Sequence, residues 1–198
     1  MPLFKIKNTD GFTLSELLIA LAILGVLATF VIPKILTGQA NSQKFAVLKE
    51  SISAYSEATY MGHIQGKFVQ NGGSCGGGLY DMTYIRNEAI NYIRLCGNAE
   101  GDGCYAEAVN ACAGGAGHIL ANGSSTCGVG TCTGSSTPQD TIFLDWDGPD
   151  NGNNTQGDDQ IRLVLCFAEG CTNGLRPGEV KPSGATSIAF YEEIFSTK

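Results

Sequence analysis

The chain has 198 residues, a formal net charge of −7 and a sequence pI near 4.7. That acidic balance leaves no electrostatic footprint for nucleic acid, and no direct nucleic-acid site is evident. Charged residues make up only 16%, whereas 27 residues are glycine and eight are cysteine, a composition that suits one loop-rich domain of modest core outside the cytosol.

The N-terminus is polar and carries Lys5 and Lys7. Gly11 closes this segment, and an almost unbroken apolar run, Leu17 to Ile32, follows it. Glu16 stands at the head of that run. A carboxylate in a bilayer-spanning helix costs about 2.5–3.5 kcal/mol at the centre and less near an end, so Glu16 needs a partner. Three readings compete. The first is a secretory signal peptide, removed after export. The second is a plain membrane anchor, since Phe12 to Ile32 gives roughly 31 Å of helix. The third is a segment cut after Gly11 and retained, which leaves the free α-amine of Phe12 about one helical turn from Glu16. On a neighbouring copy, that amine is a natural counter-charge for the carboxylate.

The residues Gly11-Phe12-Thr13-Leu14-Ser15-Glu16-Leu17-Leu18-Ile19 resemble the processing and methylation signature of type IV prepilins and pseudopilins. Gly25 and Pro33 fall where those pilins carry a helix-weakening glycine and proline. The resemblance covers roughly residues 5–33, and Ser15 departs from the commoner large apolar residue at its place. It implies cleavage after Gly11 by prepilin peptidase and N-methylation of Phe12. Residence in the bacterial inner membrane would precede assembly, with other copies and other pilins, into a pilus or a periplasmic filament by inner-membrane machinery. Gly11 and Phe12 are then the processing residues, and Phe12, Glu16 and Pro33 the assembly residues. The alternative within the resemblance is a pseudopilin of a type II secretion system.

Further along the chain the expected fold is α+β. Residues 1–11 form a leader. Residues 12–63 form one long helix, of which 12–33 make the membrane or filament core. Residues 64–198 form a globular head with an antiparallel sheet. After Pro33, which is expected to kink or loosen the preceding turn, the helix becomes amphipathic: Phe45, Leu48, Ile52 and Tyr55 recur at steps of three and four. Gly62, Gly66 and Gly72-Gly73 end it. Residues 83–95 have the spacing of a second helix, and residues 105–112 that of a short one, with a turn at 97–103 between them. Residues 114–138 read as a Gly/Ser/Thr-rich loop. Residues 141–146, 161–167 and 187–191 read as strands, rich in β-branched and aromatic residues.

Eight cysteines, Cys75, Cys96, Cys104, Cys112, Cys127, Cys132, Cys166 and Cys171, all lie in the head. Their spacing lacks zinc-type C-x2-C pairs, and export favours disulfides, whose pairing spacing alone leaves open; Cys127 with Cys132 and Cys166 with Cys171 suggest local bridges. Between the first two expected strands lies an acidic loop, 145–159, with Asp145, Asp147, Asp150, Asp158 and Asp159 and no basic residue. Oxygen donors at this density suit Ca²⁺, with Asp145, Asp147, Asp150 and Asp158 as ligands. The competing reading is an Asx-turn hairpin, in which these side chains bond their own backbone. Pilin-like proteins carry similar loops, and some bind calcium there. No nucleophile elbow or phosphate cradle is present, and His63 and His118 are expected at the surface, so no catalytic residue is assigned. A membrane-anchored, calcium-dependent exported enzyme is the remote alternative.

Overall fold

The computed structural model describes residues 13–96, 117–148, 160–172 and 174–196. The chain divides into two compact units, 1–42 and 43–198. Helix α1 spans Leu14–Ile64 and contains Pro33, so helical backbone continues through both Gly25 and the proline. In the N-terminal unit this helix is apolar, and its described side chains up to Lys34 are exposed apart from half-buried Ala28. In the C-terminal unit the same helix is one wall of the core.

The expected periodicity holds there: Leu48, Ile52 and Tyr55 are buried, and Phe45 packs beside them. Lys49 is half-buried, whereas Ser53 and Glu57 are exposed on the opposite face. The helix stops where Gly66 adopts φ +65°, a left-handed cap that glycine takes without a Cβ clash. The amides of Gly66 and Lys67 close the last turn on the carbonyls of His63 and Gly62, at 3.0 and 2.9 Å.

Six described strands form one antiparallel sheet whose spatial order is its chain order: β1 (Tyr92–Cys96), β2 (Gly117–Leu120), β3 (Ser125–Cys127), β4 (Gln139–Asp145), β5 (Gln160–Cys166) and β6 (Val180–Pro182). The β4–β5 register pairs Ile142 with Leu163 and Leu144 with Ile161, which sends one apolar row toward α1. A smaller apolar cluster, Val164, Cys166 and Leu175, forms separately, because Val164 alternates with Leu163 and Leu165 along β5. Helix α2 (Ala185–Ser196) closes the core with Phe190 and Ile194.

Four expectations are corrected. Residues 83–95 are not a helix: after a single π-helical turn, Ile85–Ala89, Ile90 takes extended backbone, and β1 pairs with β2. Pairing with β2 supplies the backbone partners of residues 92–96. Residues 114–138 contain two strands, joined by a turn in which Gly123 has φ +90° and the Leu120 amide bonds the Ser124 carbonyl at 2.8 Å. Residues 187–191 are helical, because Ser187, Phe190 and Ile194, spaced three and four apart, are the buried positions. Cys132 does not pair with Cys127 but with Cys75, at a Cα–Cα distance of 5.7 Å. Cys132 forms a bridge with Asp81, and this ladder brings the Cys75 loop alongside it. Cys166 does pair with Cys171. Cys96 and Cys127 are also disulfide-bonded. Cys104, Cys112 and the expected turn and helix across 97–112 lie outside the described residues.

Candidate functional site

The first turn of α1 holds Glu16 in a reciprocal arrangement with Thr13. The Thr13 amide donates to Glu16 Oε2 at 2.9 Å, and the Thr13 hydroxyl donates to the same oxygen at 2.7 Å. In return the Glu16 amide donates to Thr13 Oγ1 at 3.3 Å. This is a capping box, in which the residue before the helix and the third residue inside it satisfy each other's amides. The negative carboxylate also sits at the positive end of the helix dipole. Thr-x-x-Glu before an apolar run is the sequence signal for it, and it names Thr13, which the reading of the sequence did not assign. These hydrogen bonds neutralise no charge: both fall on Oε2 and come from uncharged donors. Thr13→Ala is expected to weaken the first turn by about 1 kcal/mol. Amide exchange at Glu16 and Leu17 should quicken about fivefold while the head is unaffected.

Below the cap lies the apolar surface. Leu14, Leu17, Leu18, Leu21 and Leu24 are each more than half exposed. Leu14–Lys34 is long and apolar enough to cross a membrane, and none of it is buried within the protein, unlike the core helix of a soluble protein. A signal sequence would meet the same test of length and composition. Residues 6–32, however, match the family model described as the prokaryotic N-terminal methylation motif. The chain carries the N-terminal signature of type IV pilins and pseudopilins. In that signature, cleavage precedes the apolar helix rather than removing it, so the match supports processing by prepilin peptidase and fits inner-membrane anchoring before assembly. Neither curated proteins nor solved structures give a significant match. Gly11 and Phe12 lie outside the described residues.

The head carries the described part of the acidic loop. Asp145 ends β4 and is buried, at 2% exposure. Its Oδ2 accepts from Gln160 Nε2 at 3.1 Å, and its Oδ1 accepts from the Asp147 amide at 3.3 Å. The second bond is the Asx turn weighed against calcium above. Among the described residues no group of three or more His, Cys, Asp or Glu is placed to hold a metal ion; Asp150, Asp158 and Asp159 lie outside them.

The two histidines were expected at the surface. His63 is half-buried, with Nδ1 3.0 Å from the Phe167 carbonyl. His118 is fully buried, at 0% exposure, which corrects the expectation. It lies within β2 and not in a loop, and the strand's alternation turns it to the core.

Proposed function

We propose that this chain is a structural subunit of a type IV pilus or a related filament, without catalytic activity, cut after Gly11, methylated on Phe12 and assembled by packing of its stem. The observation that carries this reading is the pairing of the methylation motif with an apolar helix that the protein itself leaves uncovered. Copies of the chain and other pilins are its partners, and its final place is a filament on the cell surface. Small size ahead of the scissile bond lets the backbone approach a protease closely. Gly11→Val is therefore expected to leave full-length precursor in the membrane, whereas the native chain begins at N-methyl-Phe12; intact-mass analysis distinguishes the two. Recovery of the chain in filaments sheared from cells supports the proposal. Its retention as a processed monomer would contradict it.

The acidic loop supports a second reading, a type II secretion pseudopilin in a short periplasmic filament. A chain found only inside the envelope, with loss of exported protein on deletion, would favour that reading. Calcium at Asp145, Asp147, Asp150 and Asp158 is proposed for either. Asp145 uses its two oxygens on Gln160 and Asp147, yet each carboxylate oxygen has a second lone pair for a cation. Calorimetric titration of the full chain with millimolar calcium is expected to give binding heat and a raised melting temperature, and the absence of both would end the calcium proposal.

A further inference from the structure

His118 sits where α1, the π-helical turn, β1 and β3 meet. Its Nε2 lies 2.7 Å from the Arg86 carbonyl, which can only accept, so Nε2 carries the proton. In the neutral ring Nδ1 is then an acceptor, and the Tyr55 hydroxyl, 2.8 Å away, donates to it. The Tyr55 oxygen in turn accepts from Thr126 Oγ1 at 2.8 Å. Thr126 Oγ1 accepts the His118 amide at 3.2 Å. Tyr55, His118 and Thr126 are all fully buried. One direction of hydrogen bonding thus runs from β3 through the helix to β2 and the π-helical turn.

We propose that His118 makes the junction of helix and sheet an acid-sensitive clasp, closed by a neutral ring and opened when the ring takes a second proton. A proton on Nδ1 would face the Tyr55 oxygen donor to donor, so Tyr55 and Thr126 would both have to reverse. Among the described residues nothing gives the charged ring a counter-ion. From α1 it meets Tyr55, from the π-helical turn Arg86, and from β1 Tyr92, stacked at 5.0 Å between centroids. The Arg86 guanidinium bonds the Val129 carbonyl at 2.7 Å and remains cationic. Glu88, on the same turn, faces Lys67 at 3.8 Å, and Arg94 on β1 is exposed. Burial pushes the ring below its ordinary value; the Arg86 carbonyl opposes this and the Arg86 charge adds to it.

The sign follows from linkage. With a depressed native value, the unfolded chain binds the proton first as pH falls below about 6.5, so stability declines from there downward. Asp140 acts oppositely: burial raises its carboxyl to about 6, so the native state gains a proton there, and acid stabilises it.

The test uses the full chain in detergent. Melting temperatures between pH 7.5 and 5 are compared for the native chain, Asp140→Asn and His118→Gln, whose side-chain amide can still donate to the Arg86 carbonyl but does not titrate. Asp140→Asn is expected to lose about 3 °C per pH unit below pH 6.5, the native chain to lose less than this below pH 6, where Asp140 takes up its proton, and His118→Gln to show no decline. An unchanged slope in His118→Gln would overturn the clasp. Should that variant not fold, NMR of the native chain decides, because there are only two histidines. A His118 ring resonance that titrates near 6.5, like a solvated imidazole, would equally overturn it; a ring that stays neutral until the head opens supports it.

Discussion

Glu16→Ala is expected to abolish filaments while leaving cleavage after Gly11 intact. In the single chain the carboxylate is held by the Thr13 amide and hydroxyl at 2.9 and 2.7 Å, which satisfies hydrogen bonding and leaves the charge. Lateral packing of stems would place that charge in a low dielectric, where a matched amine gains most and a mismatched register leaves it alone. Removing one partner of such a buried pair costs about 3–5 kcal/mol, so filament yield should fall by a factor of about 100 or more. The companion variant Glu16→Gln separates the two roles of the side chain. Its amide oxygen still caps Thr13, so the helix terminus survives, yet it offers no charge to the Phe12 amine of a neighbour. Electron microscopy of sheared material, with blotting for the processed chain, reads both effects. Normal filaments from Glu16→Gln would refute charge pairing, and loss of cleavage in either variant would move the role of Glu16 to processing.

What the sequence discloses about this protein depends on how local the physics is. The stem is legible because a lone carboxylate ahead of an apolar run is costly on any background, and β4 and β5 because their β-branched and aromatic runs fit a pleated surface. Helix α2 was hidden by the same rule: Ser-Ile-Ala-Phe-Tyr has strand composition, and its helical spacing becomes visible only when Ile194 is counted with Ser187 and Phe190. β1 was hidden because Ile85, Ala89, Ile90 and Ile93 recur at helical steps, although the last of these is exposed in a strand. Strands β2 and β3 carry the composition of a loop. Their signal is the Asn122-Gly123 pair between them, with Asn122 Oδ1 accepting from the Ser124 amide at 3.1 Å. Missing that hairpin also placed His118 on the surface. The Thr13 cap was present in four consecutive residues and needed only the pattern to be applied. The Cys75–Cys132 bond, by contrast, depends on a ladder between segments far apart in the chain, which no spacing rule contains.

That long-range bond should matter more than the short one. Replacing Cys75 and Cys132 together by alanine is expected to cost roughly 4 kcal/mol, against roughly 2 kcal/mol for Cys166 and Cys171. The difference follows from the separations, 57 residues for the first bridge and 5 for the second, because a longer closed loop removes more freedom from the unfolded chain. The native loop around Cys75 is otherwise held mainly by local hydrogen bonds, such as the Asn71 amide to the Leu79 carbonyl and the Gly78 amide to Asn71 Oδ1, each at 2.7 Å. It is rich in glycine, with Gly73, Gly77 and Gly78 at positive φ, and few of its side chains reach the core. Its backbone is tied through Met82 to Thr131 at 2.8 Å and through Thr133 to Tyr80 at 3.0 Å, and these bonds depend on the same segments being held together. Equilibrium urea unfolding of the two double variants measures the costs, and limited proteolysis should show earlier cleavage within residues 72–79 in the first variant only. Equal costs would mean that unfolded-state freedom is not what these bridges restrain, and the cause would then lie in native packing around each sulfur pair, where Cys75 is 7% exposed and Cys166 is fully buried.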